Sequence, residues 1–291
     1  MLEEGAYIID TGVGELVPDP HNPSGWLLIV NGLESSYVDL ADPTRLEFEY
    51  VSWMGIAIDL FREPKRPIRA AHLGGGGCTL PRYVAATRPG SEQVVFEVDR
   101  ELLRMVTYAF QVHEIANLRF EIEDGLAGVR ALPSHSYDVI IRDAFDGGDV
   151  PAHLVGRELL AEAARVLVPD GIYLANVPSE GDLAAATAEG EHAAAVFAHV
   201  GLFIDPGQLR GRRFGNVVLA ASQRPLPWDE LARRLHRAIA PARLVPVTDA
   251  DDRHRSEGLS AASLPSRGRT GAPPGQRKPG RRRRSRRRPL P

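Results

Sequence analysis

One cysteine, Cys78, stands in 291 residues. A single thiol excludes an intramolecular disulfide framework and a zinc site built on several cysteines. No window approaches the roughly 18 apolar residues that a membrane span needs. The opening Met-Leu-Glu-Glu has neither a basic stretch nor an apolar core. No secretory leader is visible, and a cytoplasmic protein is expected. The nine histidines are scattered, with no pair at metal-ligand spacing beside acids, so no metal is expected. A phosphate-cradling P-loop, a Ser-His-Asp arrangement and an internal repeat are all absent.

What is there is ordinary globular material, 43% hydrophobic and 25% charged. It suffices for one large domain or two smaller ones. The net charge of −3 conceals a split. Residues 249–291 carry thirteen Lys/Arg against four Asp/Glu, a balance of +9, and residues 1–248 sum to −12. An acidic body favours cationic ligands and repels nucleic acid. The tail is dominated by Pro, Gly, Ser and Arg and is expected to be disordered. Its arginine runs at 281–284 and 286–288 leave nucleic acid as a partner only through this segment. No aromatic residue interleaves them, as single-strand binding would want.

Three regions follow from the patterning. Residues 1–61 form a β-rich region with a linking helix. Tyr7–Ile9 and Trp26–Val30 are apolar runs, Asn31-Gly32 is a hairpin turn signal, and Ser35–Val38 is the return strand. Residues 44–61 carry apolar positions at helical spacing. Residues 62–248 alternate strands with helices. Strands are expected at Ala70–Leu73, Val94–Asp99, Leu118–Ile122, Tyr137–Ile141, Gly171–Val177 and Asn216–Ala221. Helices are expected at Glu101–Phe110, Gly156–Val168, Leu183–His199 and 229–239. Such alternation implies an α/β fold with a parallel sheet covered on both faces. Residues 249–291 are the tail.

In a doubly wound sheet the ligand lies beyond the carboxyl ends of the strands, at the switch point. The first strand runs into Gly74-Gly75-Gly76-Gly77, where glycine permits a sharp turn and close backbone approach. The second ends in Glu97-Val98-Asp99, whose acids can accept ribose hydroxyl protons. The third is followed by Glu123-Asp124-Gly125 and the fourth by Asp143-Ala144-Phe145-Asp146. Alone, a glycine cluster is a turn and an acid at a strand end is a helix cap. Together, in register with four strands, they indicate a nucleoside site. The dinucleotide motif is incomplete because Cys78 follows Gly77. Acidic loops suit a cationic sulfonium nucleoside better than a pyrophosphate. Cys78 reads as a small packed residue, and His72 as a packed one.

These residues resemble the spermidine synthase family, polyamine aminopropyltransferases of the Rossmann-like class I methyltransferase fold. The match spans about residues 25–222. His72-Leu73-Gly74-Gly75-Gly76 is similar to the glycine motif, Glu97-Val98-Asp99 to the ribose-binding acids, and Asp124-Gly125 to the adenine-binding pair. The resemblance implies Asp143 as the catalytic base and Asp146, with Glu49 and Tyr50, as holders of the amine. It places Ser35 beside the co-substrate, where the family commonly has Gln. It implies decarboxylated S-adenosylmethionine as co-substrate, an amine such as putrescine as acceptor, and a homodimer. The departures concentrate in the amine half. Gly77 replaces the acid expected to meet the aminopropyl amine, Gly147 replaces a Pro, and the family's Tyr-x-Glu is altered around Phe48-Glu49-Tyr50. Two alternatives stay open: a methyltransferase using intact S-adenosylmethionine, and a non-catalytic nucleoside-binding homologue.

Overall fold

Asn31 and Gly32 adopt φ of 53° and 81° in the computed structural model, which describes residues 3–179 and 181–248. These left-handed values make the two-residue hairpin turn that the Asn-Gly pair predicts, with Val30 paired to Leu33. The turn joins β3 (Gly25–Val30) to β4 (Leu33–Asp39), and with β1 (Gly5–Ile9) and β2 (Gly12–Pro18) they form an antiparallel sheet in chain order. The segment forming β2 was not expected as a strand; its glycines break up the apolar pattern. The disorder expected of residues 249–291 falls outside the described residues.

The second sheet has eight strands: β5 (Arg69–Leu73), β6 (Glu92–Glu97), β7 (Leu118–Ile122), β8 (Tyr137–Arg142), β9 (Leu167–Ser179), β10 (His199–Ile204), β11 (Gly215–Ser222) and β12 (Arg243–Thr248). Their order is β12-β10-β11-β9-β8-β5-β6-β7. The expected parallel sheet holds for β5 to β9 only. The other three strands are antiparallel, β11 against β9 and β10 against both β11 and β12. The helix expected to reach His199 is also corrected: it ends at Ala194, and His199–Ile204 is a strand buried along its whole length. A six-residue run buried on both sides suits an inner strand.

The helices are α1 (Glu49–Phe61), α2 (Thr79–Thr87), α3 (Arg100–Ala109), α4 (Gly125–Ala131), α5 (Arg157–Val166), α6 (Ala184–Ala194) and α7 (Trp228–Arg237). Leu126, Leu159, Ala163 and Ala186 pack α4, α5 and α6 into one apolar cluster of the large sheet. Trp53, Met54, Leu80, Val84 and Leu235 pack α1, α2 and α7 into another. Helix α1 thus packs in the layers of the large sheet. A third cluster joins Ile9, Leu16, Leu28 and Val38 of the small sheet to Leu102, Leu103 and Val106 of α3. This cluster sets the small sheet over the carboxyl ends of β5 and β6. The order reverses between β5 and β8, so the loops after Leu73 and Arg142 open at the same place.

Candidate active site

A cleft of about 920 Å³ lies at that switch point. Gly74 begins its floor, with φ of +97°. A Cβ there would stand 2.2 Å from the Asp143 carbonyl oxygen, so only glycine lets the two loops meet. The Gly74 N–H donates to the Phe96 carbonyl and the Asp143 N–H to the Leu73 carbonyl, each at 2.9 Å. Gly76 is also left-handed, at +44°. Among the described residues its N–H has no protein acceptor.

Strand β4 supplies the wall facing this loop. Leu28 pairs with Ser36 and Ile29 with Glu34, leaving Ser35 as the extra residue of a β-bulge. Both serine hydroxyls consequently reach the glycines, lying 3.7 Å (Ser35) and 2.8 Å (Ser36) from where a Gly76 Cβ would stand. The Gly77 N–H donates to Ser36 Oγ at 2.9 Å. A Cβ on Gly77 would meet Ser36 Cβ at 2.8 Å and Val38 Cγ2 at 3.0 Å. The space of the missing acid is thus filled from β4. Cys78 is fully buried behind it, and burial pushes its thiol up to about 12. It carries no thiolate, in line with a packing role. His72 is buried too, its Nε2 2.9 Å from Gln93 Oε1, and burial lowers it to about 4.

The two acids after β6 differ sharply. Glu97 accepts the Gly75 N–H on Oε2 at 2.8 Å and the Asp99 N–H on Oε1 at 3.0 Å. A carboxylate has about four acceptor positions, so one remains on each oxygen. Asp99 has none left. It accepts the N–H groups of Asp10, Thr11 and Leu102 and the Thr11 hydroxyl. It caps α3 and fastens the β1–β2 turn to it. Asp124 caps α4, its Oδ1 accepting from the Leu126 and Ala127 N–H groups. Its Oδ2 meets His153 Nε2 at 2.5 Å. Burial works to raise the Asp124 pKa, but the hydrogen bond from His153 and the capped N–H groups outweigh it and hold it low. Gly125 packs under Asp124, with Leu73 Cβ only 3.1 Å from the position of its absent Cβ.

Across the cleft, Asp143 follows β8. Its Oδ2 accepts from Tyr50 Oη at 3.1 Å and its Oδ1 from Asn176 Nδ2 at 2.9 Å. Burial raises its pKa above the usual carboxylate range, and these two bonds with the Arg142 charge offset only part of that. Burial and the Asp143 charge push the Tyr50 phenol far up, so it stays a donor. Asn176 is buried and, among the described residues, its Oδ1 has no partner. Behind the site, Arg142 and Glu189 form a fully buried ion pair at 2.5 Å. Asp146 sits three residues beyond Asp143, exposed, on a turn bridged to Asp149. Among the described residues its carboxylate has no partner. Glu49 opens α1 and is held by Arg213, whose Nη2 lies 2.9 Å from each carboxylate oxygen.

Every residue expected to act lines this one cleft: Ser35, Glu49, Tyr50, Gly74, Gly75, Gly76, Glu97, Asp99, Asp124, Gly125, Asp143 and Asp146. Ser36, His153, Asn176 and Arg213 line it as well and were not anticipated. Only Asn176 left a signal in the sequence, as a lone amide in the apolar run from Gly171 to Val177. Among the described residues no cluster of three or more His, Cys, Asp or Glu could hold a metal ion. No described helix is long and apolar enough to cross a membrane.

No family model matches the chain. A probable spermidine synthase from Corynebacterium glutamicum is similar to it at 31% identity and a TM-score of 0.79, over 91% of this chain and all of that one. The polyamine aminopropyltransferase of Vibrio vulnificus is 33% identical over 141 residues, 48% of this chain and 46% of the relative. The chain spans about half the length of the curated relatives it matches. The spermidine synthase of Thermotoga maritima shares the fold, with a TM-score of 0.58 at 16% identity over 80% of this chain and 77% of that one. The fold is the S-adenosylmethionine-binding fold of the aminopropyltransferase and methyltransferase type. The chain belongs to the spermidine synthase family of polyamine aminopropyltransferases.

Proposed function

We propose that this chain transfers the aminopropyl group of decarboxylated S-adenosylmethionine to a primary amine such as putrescine. The observation that carries the reading is Asp143, a carboxylate of raised pKa held by Tyr50 and Asn176 at the switch point. In the nucleoside half, Glu97 has one free acceptor position on each oxygen for the two ribose hydroxyls. The ribose role expected of Asp99 falls on Glu97, because Asp99 is saturated. Asp124 Oδ2, with Gly125 packed beneath, offers an acceptor to the adenine amine. Gly74, Gly75 and Gly76 allow close approach, and Ser35 faces the tail of the co-substrate.

In the amine half, Asp143 accepts one N–H of the neutral amine and aims its lone pair at the carbon next to sulfur. As the C–N bond forms, the C–S bond breaks and its electron pair neutralises the sulfonium, releasing methylthioadenosine. The nitrogen is then a dialkylammonium, whose N–H Asp143 accepts until the proton passes to water as the product leaves. A carboxylate is a poor base for an ammonium with pKa about 10.4, so Asp143 acts first by orienting the neutral form of the acceptor. Asp146 offers a free carboxylate to the far end of the acceptor. The reading carries with it a cytoplasmic homodimer, checked by light scattering of the purified chain.

One observation favours methyl transfer from intact S-adenosylmethionine as a second reading. Where an acid would meet the aminopropyl ammonium, the wall offers the Ser35 and Ser36 hydroxyls and the free Gly76 N–H, donors that suit a carboxylate. A mass-spectrometric assay with both co-substrates and a panel of amines decides between them. Gain of an aminopropyl mass on the amine supports the first reading and gain of a methyl mass the second. Retained methylthioadenosine binding without either product refutes both in favour of a binding protein.

A further inference from the structure

Arg213 is the only Arg or Lys among the described residues that line the cleft. It comes from the loop between β10 and β11, 164 residues beyond its partner. Its Nη2 takes both oxygens of Glu49 at 2.9 Å, and its Nη1 lies 3.5 Å from Asp205. Asp205 is itself fixed by accepting the N–H groups of Gly207 and Gln208. The guanidinium is therefore seated between two acids. Glu49 and Arg213 line the same cleft as Asp143, whose carboxylate is held by Tyr50, the residue after Glu49.

Resting on the aminopropyl-transfer reading, we propose that Arg213 is a specificity-determining residue that removes the site's preference for a diamine over a primary amine with an uncharged far end. An ammonium arriving at Glu49 finds each oxygen already paired with Arg213, with one acceptor position left on each. A carboxylate neutralised by a guanidinium attracts it more weakly than a free one. The other carboxylate is Asp146, exposed and therefore screened by water and salt, which returns little to a second ammonium. An acceptor with one amine at Asp143 and an uncharged far end therefore loses little beside a diamine.

Putrescine and n-butylamine test the proposal, since they have the same four carbons and differ by one nitrogen. Binding of each to the full-length protein is measured by calorimetry, with and without methylthioadenosine, for the wild type, Arg213→Gln and Glu49→Gln. The readout is the ratio of the two affinities. The wild type should bind the two within about threefold. Arg213→Gln releases Glu49 and should move the ratio about tenfold toward putrescine, the scale of one screened ion pair gained and one repulsion lost. Glu49→Gln leaves Arg213 with Asp205 alone and should move it the other way. If Arg213 only pins its loop to α1, both substitutions shift both amines alike and the ratio stays put. That result overturns the proposal, as does a wild type that already prefers putrescine tenfold or binds neither amine. The ratio is independent of product. Expected ratios without aminopropylated amine refute the transfer reading alone, and transfer without the ratio change refutes the role of Arg213 alone.

Discussion

Replacing Asp143 by asparagine separates chemistry from stability. The wild-type carboxylate receives two donors, Tyr50 Oη at 3.1 Å and Asn176 Nδ2 at 2.9 Å. In Asp143→Asn the amide oxygen still accepts from Tyr50. The new amide N–H needs an acceptor, and Asn176 has one without a partner, its buried Oδ1. Rotation of the Asn176 amide presents it and puts Nδ2 where Oδ1 had no partner, so the number of unpartnered amide atoms stays the same. The charge balance works in the same direction. A carboxyl whose folded pKa is raised is favoured in its protonated form. The stability it contributes when protonated is present at low pH and lost as pH rises through the folded pKa. Asp143 is such a group, raised by burial, so its ionised form costs stability at neutral pH and the amide removes that cost. The expected result is a melting temperature equal to or above that of the wild type. Transfer should fall by about 10²–10⁴, the contribution of one positioned proton acceptor, or roughly 3–5 kcal/mol of barrier. Single-turnover product formation by mass spectrometry measures the rate. The acid limb of the wild-type kcat/KM profile should lie above the ordinary carboxylate range and be missing from the residual activity of the variant. A variant that turns over at the wild-type rate, with an unchanged acid limb, refutes the assignment.

Other substitutions probe the nucleoside half and the frame. Glu97→Ala removes the acceptor of two ribose hydroxyls, each such charged hydrogen bond being worth about 1.5–3 kcal/mol. Calorimetry should show methylthioadenosine binding weakened by about two orders of magnitude, and unchanged affinity removes Glu97 from the site. Gly74→Ala must relieve a 2.2 Å approach to the Asp143 carbonyl at φ of +97°. The backbone conformation alone costs about 1–3 kcal/mol, so thermal unfolding should come earlier while transfer drops with the displaced Asp143. Glu189→Ala strands the Arg142 guanidinium in the core, where breaking a buried pair costs about 3–5 kcal/mol. Urea unfolding should register that loss, and a smaller change means that water or a side chain reaches Arg142.

The half of the cleft proposed to hold the nucleoside was legible because its signals are local. Gly74 to Gly76 and Asp124 sit one to three residues beyond a strand and Glu97 ends one, and the strand pattern says which end faces the site. What was not legible is how many of an acid's acceptor positions are already spent. Glu97 and Asp99 are two residues apart and look interchangeable in sequence, yet one keeps two free positions and the other none. The difference comes from the β1–β2 turn, where Asp10 and Thr11 donate across 89 and 88 residues. The sheet was half legible for a related reason. Strand β10 is buried on both faces, so it lacks the alternation that marks a half-exposed strand, and the preceding alanine-rich run extends the helical pattern into it.

The amine half shows the limit more sharply, because its character is set by residues far apart in sequence. From the sequence, Gly77 reads as an acid lost from an otherwise intact pocket. In three dimensions nothing is vacant there: a bulge in β4, 41 residues earlier, swings Ser36 into hydrogen bonding with the Gly77 N–H and closes the volume. Likewise Glu49 reads as an amine-holding acid until Arg213 takes both its oxygens. Each departure is matched by a compensating neighbour, a serine where a carboxylate is missing and a guanidinium where a carboxylate remains. A pocket losing function by drift would leave a cavity or an unpaired charge at these two places, and neither is found at Gly77 or Glu49. On the proposed reading, the charge at the acceptor end is rearranged around Asp143, which is what a change of acceptor requires.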